Sequence, residues 1–387
     1  MKDFLPSVLC FCLLLHSCDL KAEDLSMYPS MEATNSYWRD AKGGEPVNVN
    51  TFSLRLKGEW GDESLLGVFD VQGECQSGSH LDNHEPCAGE VIEAFNKWET
   101  DTWSFIVGRY SYRIGSGIST NPSQPERTGM RNDQGPFVVD RGSDMLKISA
   151  MIHGELSLGA MTIFEKDRDL MVPYVTIDHE GDTLQSRTIV GQRFFGQNLS
   201  ATPLDFLVVY LEYNLHKRRD RETIYSDGLL GTRMGIGNLP LSLGLELIRI
   251  SHGLNGTRSR DYLEGLDRGD KRVSLGTRYD SYDHRKPGSN DTFIWGASQW
   301  LSRDLLYINA ITHFGSPWSP IIRGYHSLSD SSSISIIGVQ YSSLTSDQQL
   351  TASMDLESFH GDTYSEWGRV EDQVHQSTLS LRLGFRW

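Results

Sequence analysis

The last nine residues of the chain alternate strictly between apolar and other side chains. Leu379, Leu381, Leu383, Phe385 and Trp387 fall on one face of an extended segment, and the residues between them are polar, charged or glycine. Successive side chains of a β-strand point to opposite faces, so this pattern predicts a strand with one apolar and one wet face. Similar segments of about ten residues recur from about residue 47 onwards, separated by Gly, Asn, Asp, Ser or Pro.

This periodicity predicts an all-β fold, a transmembrane antiparallel up-and-down β-barrel. About ten residues are what a tilted strand needs to cross the apolar layer of a bilayer. Alternation alone does not distinguish inside from outside, since a soluble barrel would turn its apolar face inward. The other face is charged yet rich in Ser, Thr and Gly, which favours a narrow aqueous lumen. About seventeen candidate strands are recognisable, and because bacterial barrels have even strand numbers we expect 16 or 18.

The predicted connections are of two kinds. Tight turns are expected at His153-Gly154, Asn238-Leu239 and Ser302-Arg303. Long polar loops are expected at residues 75–90, 115–143, 166–185, 215–228, 252–269 and 359–374. Short turns at one end and long loops at the other are typical of outer-membrane barrels.

The N-terminus predicts export. Residues 1–22 have the pattern of a signal peptide, with an apolar stretch from Leu5 to Leu15 and a cleavage site after Ala22. Lipoprotein processing at Cys18 is the alternative. Residues 23–46 are then a periplasmic segment or an extra strand, and residues 47–387 form the barrel. The expected location is the cell outer membrane, with outer-membrane lipid as a partner. A C-terminal strand that ends in an aromatic residue resembles the signal that such barrels present to their assembly machinery.

Cysteine usage agrees with an oxidising compartment. Three of the five cysteines precede residue 22, which leaves Cys75 and Cys87. Two cysteines so close in an exported chain predict one loop disulfide. A metal site that includes His80 and His84 is the weaker alternative, because the spacing matches no standard zinc pattern. No cofactor is predicted. The formal net charge of −15 argues against a nucleic-acid partner.

The segment from Val107 to Arg141 is the most informative about function. It reads Val-Gly-Arg-Tyr-Ser-Tyr-Arg-Ile-Gly-Ser-Gly and continues through Asn121-Pro122 to three further arginines, Arg127, Arg131 and Arg141. The segment resembles the alginate-export and related porin-like families of outer-membrane proteins. The resemblance implies a Gly-Arg strand, a glycine-rich exit and a long loop that folds into the pore. Tyr110 stands where those families usually have Gln, which leaves the subfamily and the solute open.

Basic residues recur on the face predicted to line the lumen. Arg109 and Arg113 lie four residues apart, and the other members are Arg55, Lys57, Lys147, Arg272, Arg278, Arg382 and Arg386. Guanidinium groups bind carboxylates and phosphates through paired donors, so one hypothesis is a track for a small anionic solute such as an acidic saccharide or carboxylate. The alternative is that these residues pair with lumen acids, including Glu93, Glu212, Glu246, Asp355 and Glu357, and hold the barrel together.

Three functions remain open on sequence grounds. The first is a passive channel or export porin, as a monomer or a homo-oligomer. The second is an outer-membrane lipid hydrolase, because Ser251-His252-Gly253 faintly resembles the histidine strand end of such enzymes. Leu254 occupies the position of their nucleophilic serine, which argues against hydrolysis. The third is a structural or adhesive barrel that acts through its outer loops.

Overall fold

Eighteen β-strands make up the part of the chain that the structure describes. The structure is a computed structural model, and it describes residues 25–40, 46–62, 64–78, 87–112, 115–118, 143–165, 170–217, 224–236, 240–250, 303–312, 317–344, 349–361 and 375–386. The strands are β1 (Leu25–Asp40), β2 (Pro46–Gly61), β3 (Leu65–Gly78), β4 (Cys87–Glu99), β5 (Trp103–Tyr110), β6 (Ser143–His153), β7 (Leu156–Glu165), β8 (Leu170–Glu180), β9 (Leu184–Gly191), β10 (Phe194–Leu204), β11 (Leu207–Lys217), β12 (Ile224–Gly235), β13 (Leu241–Ile250), β14 (Asp304–Thr312), β15 (Trp318–Ser327), β16 (Ser333–Leu344), β17 (Gln349–His360) and β18 (His375–Arg386).

Neighbouring strands in the sequence are neighbours in one continuous sheet, and every pairing is antiparallel. The sheet closes on itself because β1 pairs with β18, with Met31 opposite Phe385 and Ala33 opposite Leu383. The prediction of an up-and-down barrel with 16 or 18 strands is therefore confirmed, with 18 strands. Within the described residues, no helix is long and apolar enough to cross a membrane.

Closure fixes which face of each strand is inside. Along β11 and β13, Leu211 and Leu245 are exposed, whereas the adjacent Glu212 and Glu246 are wholly buried. The C-terminal strand follows the same rule, because Leu381 is exposed and the flanking Ser380 is buried. The apolar face is thus turned outwards, as expected for a wall that meets lipid.

Short turns join the strands at one end of the barrel. Gly154 and Glu155 link β6 to β7, at the position predicted for a tight turn. Between β2 and β3, the Asp62 carboxylate accepts hydrogen bonds from the Ser64 hydroxyl (2.7 Å) and from the backbone N–H groups of Ser64 and Leu65 (2.8 and 3.0 Å). These bonds favour the ionised carboxylate, so they lower the pKa of Asp62, the Ser64 hydroxyl contributing most.

Two predicted loops are corrected. Residues 166–185 were expected to form a single polar loop, but they contain β8, whose Met171 and Val175 face outwards and whose Asp178 faces inwards. Residues 75–90 were expected to form another loop, but Cys75 and Cys87 both belong to strands and are direct partners in the β3–β4 register. Cys75 is disulfide-bonded, so its bond lies in paired strands rather than in a loop.

Other predicted elements lie outside the described residues. These are the turn at Asn238-Leu239, Ser302 of the third turn and the loop at 252–269. Strand β13 pairs directly with β14, from Leu241 opposite Thr312 to Arg249 opposite Asp304. The wall is therefore continuous between these two strands.

Aromatic rings cover glycines on the outer face of β2 and β3. Trp60 is the register partner of Gly67, and Phe69 is the partner of Gly58. A Cβ atom built on either glycine would overlap the ring of its partner. Such pairs stabilise a curved sheet, because the ring fills the space left by the missing side chain.

We expect Gly67→Ala to lower the free energy of unfolding by about 1–3 kcal/mol, since the new methyl group would displace the Trp60 indole. The matched control is Gly73→Ala in the same strand, because no atom lies within 4 Å of its added Cβ. Urea unfolding of the barrel in phospholipid vesicles, followed by tryptophan fluorescence, measures both. Equal losses in the two variants would contradict the role given to the Trp60 ring.

Candidate functional site

The inner faces of β2, β3 and β4 carry a group of ion pairs. Arg55 Nε donates to the wholly buried Asp70 (2.7 Å), and a second Arg55 nitrogen contacts the other oxygen of the same carboxylate. Lys57 lies 2.5 Å from Glu59. Lys57, Asp70 and Glu93 are successive partners in the register of the three strands. This wall therefore presents both signs of charge to the lumen.

The Lys97–Glu99 pair extends this group along β4 towards the β4–β5 turn. We call Arg55, Lys57, Glu59, Lys97 and Glu99 the charged patch. Its members all keep part of their side chains accessible to solvent. Asp70 and Glu93 lie behind the charged patch, where Asp70 is fully buried.

A second group of charges lies on β6, β8 and β9, and its centre, Lys147 with Asp178, is buried. Lys147 Nζ lies 3.2 Å from the Tyr112 hydroxyl and 3.7 Å from Asp178. Arg187 Nε donates to Asp178 (3.0 Å) and its Nη2 donates to Glu180 (2.9 Å). The Tyr112 ring covers Lys147, with the ammonium 4.2 Å from the ring centroid. This arrangement combines a cation–π contact with a buried salt bridge.

Tyr112 belongs to a segment that leaves the wall at the end of β5 and runs through the interior. We call residues 110–118 the inner segment; residues 113 and 114 are outside the described ranges. At its start, the backbone N–H of Ser111 donates to Glu93 of β4 (3.0 Å), and the Tyr110 ring meets Phe95 edge-on with centroids 4.7 Å apart. The inner segment is thus attached to the wall where it departs.

The far end of the inner segment is fixed to strands that lie five to eight places beyond β5 along the sheet. Ser116 accepts a hydrogen bond from Asn198 of β10 (3.3 Å). The backbone N–H of Gly117 donates to Glu212 of β11 (2.6 Å), and that of Ile118 donates to Glu246 of β13. Both carboxylates are fully buried. Hydrogen bonds to charged acceptors are stronger than neutral ones, so these two fix the inner segment firmly.

Gly244 completes this attachment. An ideal Cβ on Gly244 would lie 2.5 Å from Ile118 Cδ1, so the glycine leaves the space that the isoleucine fills. Ile118 also packs against the largest apolar cluster of the interior. Its buried members are Tyr210, Leu229, Ile248, Ile250, Leu305, Tyr307, Tyr325, Ile334, Ile336 and Phe359.

The structure separates the residues predicted to line the lumen. Lys147 faces inwards, opposite Ile106, but it is buried beneath Tyr112. Arg109 pairs in register with Asp144, on the face of Val107 and opposite to that of Ile106. Its guanidinium donates to Asp144 (2.9 Å) and to the Val91 carbonyl (3.1 Å). Arg109 and Lys147 therefore lie on opposite faces of the sheet in this register.

Several predicted residues lie outside the described part of the chain. They are Arg113, Arg127, Arg131, Arg141, Arg272, Arg278, His252 and Trp387. Arg382 is described only in its backbone, which pairs with Thr34 and Ser353. Within the described residues, no group of three or more His, Cys, Asp or Glu side chains is placed to hold a metal ion.

Sequence reasoning missed Asp178, Arg187 and Lys97. The first residue was assigned to the predicted loop at 166–185, so its inward position was not considered. Arg187 follows that loop and pairs in register with Asp178. Lys97 alternates with Trp98 in β4, and this alternation is the signal that could have identified it.

Comparison with solved structures identifies the architecture. The BenF-like porin from Pseudomonas fluorescens Pf-5 superposes with a TM-score of 0.57 at 10% identity, over 94% of this chain and 99% of that one. OccK2 (OpdF) from Pseudomonas aeruginosa, solved in complex with glucuronate, gives 0.54 at 12% identity, over 94% and 98% of the two chains. The chain has the fold of the outer-membrane porins.

Acinetobacter baumannii OccAB1 is similar to the same degree, with a TM-score of 0.55 at 9% identity over 94% of this chain and 96% of that one. No protein-family model matches the sequence, and no curated protein matches it. At these identities the likeness concerns the fold, so the function has to be argued from the lumen.

Proposed function

We propose that the protein is an outer-membrane porin that lets small solutes bearing a carboxylate cross the membrane. The observation that carries the proposal is the closed 18-strand barrel, apolar outside, whose inner face keeps charged side chains accessible at the charged patch. Barrels with about 16 to 18 strands are wide enough to hold an aqueous channel. The fold that the chain shares with OccK2, solved with glucuronate, adds support for a carboxylate solute.

The location follows from the same proposal. The predicted signal peptide over residues 1–22 would direct the chain to the periplasm, and the apolar outer face suits insertion into outer-membrane lipid. The C-terminal strand ending at Trp387 would be presented to the barrel assembly machinery. We propose a channel rather than the lipid hydrolase centred on His252, because Leu254 stands where such an enzyme needs its nucleophile.

We expect the purified protein to produce discrete, reversible conductance steps when added to a planar lipid bilayer in potassium chloride. Accessible charged groups in a closed barrel offer ions a hydrated path, so the steps should appear without any ligand. Heat-denatured protein from the same preparation is the control. Bilayers that stay sealed, although the inserted protein retains the electrophoretic mobility of a folded barrel, would contradict the proposal.

A further inference from the structure

The two charged groups of the interior differ in how much solvent reaches them. In the charged patch, the side chains of Lys57 and Glu59 are 32% and 34% exposed, and those of Lys97 and Glu99 are 29% and 49% exposed. In the second group, the Lys147 side chain is 10% exposed and that of Asp178 is 6% exposed. Arg187 and Glu180, at the edge of the second group, are 26% and 68% exposed. Among the described residues, the centre of the second group is therefore closed to a passing solute, whereas both ion pairs of the charged patch are open.

The inner segment accounts for this difference. Its residues contact β6, β8 and β9 through Tyr112, then β10, β11 and β13 through Ser116, Gly117 and Ile118. On the same half of the wall, the inward-facing side chains of Met161 in β7 and Ile189 in β9 are at most 1% exposed. The inner segment thus lies against one half of the wall and leaves the side that carries β2, β3 and β4 accessible.

The accessible cations of the charged patch each have a carboxylate neighbour. A solute with only a carboxylate would be attracted by Lys57 and repelled by Glu59, because the two groups are within 2.5 Å of each other. A solute with only an ammonium group would be attracted by Glu59 and repelled by Lys57. A zwitterion can place its carboxylate on Lys57 and its ammonium on Glu59, which exchanges one ion pair for two and leaves no charge unpaired.

We propose that the solute path is off-centre, along β2–β4, and that the charged patch selects small zwitterions, solutes that carry an ammonium group as well as a carboxylate. This inference rests on the proposed porin function and narrows its substrate class. The Lys97–Glu99 pair offers a second position of the same kind further along β4 towards the β4–β5 turn, so a zwitterion can pass from one pair to the next.

The test uses three solutes of matched size: 4-aminobutanoate, butanoate and butylammonium. Full-length protein is reconstituted into liposomes, and the uptake rate of each labelled solute is measured. We expect 4-aminobutanoate to enter about fivefold faster than either singly charged solute, the factor that one modest ion pair provides. Lys57→Gln should abolish this preference and speed butylammonium, whereas Glu59→Gln should abolish it and speed butanoate.

Two further variants distinguish the effect of the paired charges from a general effect of substitution on folding. The double variant Lys57→Glu/Glu59→Lys restores both charges in exchanged positions and should keep the zwitterion preference. Arg249→Gln removes a cation whose side chain is 65% exposed on the outer face, and should leave all three rates unchanged. Equal uptake of the three solutes by the wild type, or a preference that survives Lys57→Gln, would overturn the inference. Absence of uptake of all three would instead overturn the porin function itself.

Discussion

Replacing Gly244 with valine is expected to raise the single-channel conductance severalfold. The side chain of Ile118 occupies the space above Gly244, and an added Cβ alone would come within 2.5 Å of its Cδ1. A valine needs more of that space than a methyl group does, so we expect it to displace the Ile118 side chain and to remove the apolar contact of the inner segment with β13. Conductance should rise because the inner segment then no longer narrows the lumen.

The control for this prediction is Gly324→Val in β15. The nearest atom to a Cβ built there is the Ile334 carbonyl oxygen at 3.6 Å, an ordinary contact distance. Single-channel recordings of both variants in the same lipid provide the measurement. If Gly244→Val conducts like the wild type while remaining folded, the inner segment does not limit the flow.

The carboxylates that fix the inner segment provide an independent check on that interpretation. Glu246→Ala removes the acceptor for the Ile118 N–H without adding bulk near Gly244. It should therefore raise the conductance in the same direction as Gly244→Val. Agreement between a variant that adds volume and one that removes a hydrogen bond would identify release of the inner segment as the shared cause.

The barrel was predictable from sequence because alternation is a local property. Leu379, Leu381 and Leu383 face outwards in the structure, as their spacing indicates. Strand β8 escaped detection because Asp178 and Glu180 make its second half look like a polar loop. Those charges are what an inner face requires when Arg187 of the next strand lies opposite. Charged residues on the inner face of a barrel thus make their strands difficult to recognise from the sequence.

The inner segment could not be predicted in the same way. Alternation marks Glu212 and Glu246 as inward residues, but their partners include the backbone N–H groups of Gly117 and Ile118. That pairing depends on the path of a loop across the interior, which no strand pattern encodes. The surroundings of Ile106 depend on the same path, because Ile106 faces inwards and is buried in an apolar cluster beside Tyr110.

Gly108 is the residue whose substitution should most destabilise the barrel. It has a φ of 118°, a conformation that side-chain-bearing residues rarely adopt. A Cβ there would also overlap the Ala94 carbonyl oxygen and come within 2.9 Å of the Phe95 Cα. Both obstacles belong to the backbone of β4, so neither can rotate away. We expect Gly108→Ala to lower the free energy of unfolding by about 3 kcal/mol or more.

Gly154→Ala measures the cost of a positive φ alone, without the overlap with a neighbouring backbone that Gly108→Ala also introduces. Gly154 also has a positive φ, 50°, but nothing lies within 4 Å of its added Cβ. Its substitution should cost only the conformational strain, about 1–2 kcal/mol. Urea titration of both variants in vesicles gives the two free energies. If Gly108→Ala lowers the free energy of unfolding no more than Gly154→Ala does, β4 shifts to accept the methyl group. The close approach of β4 and β5 then does not fix the point where the chain turns into the lumen.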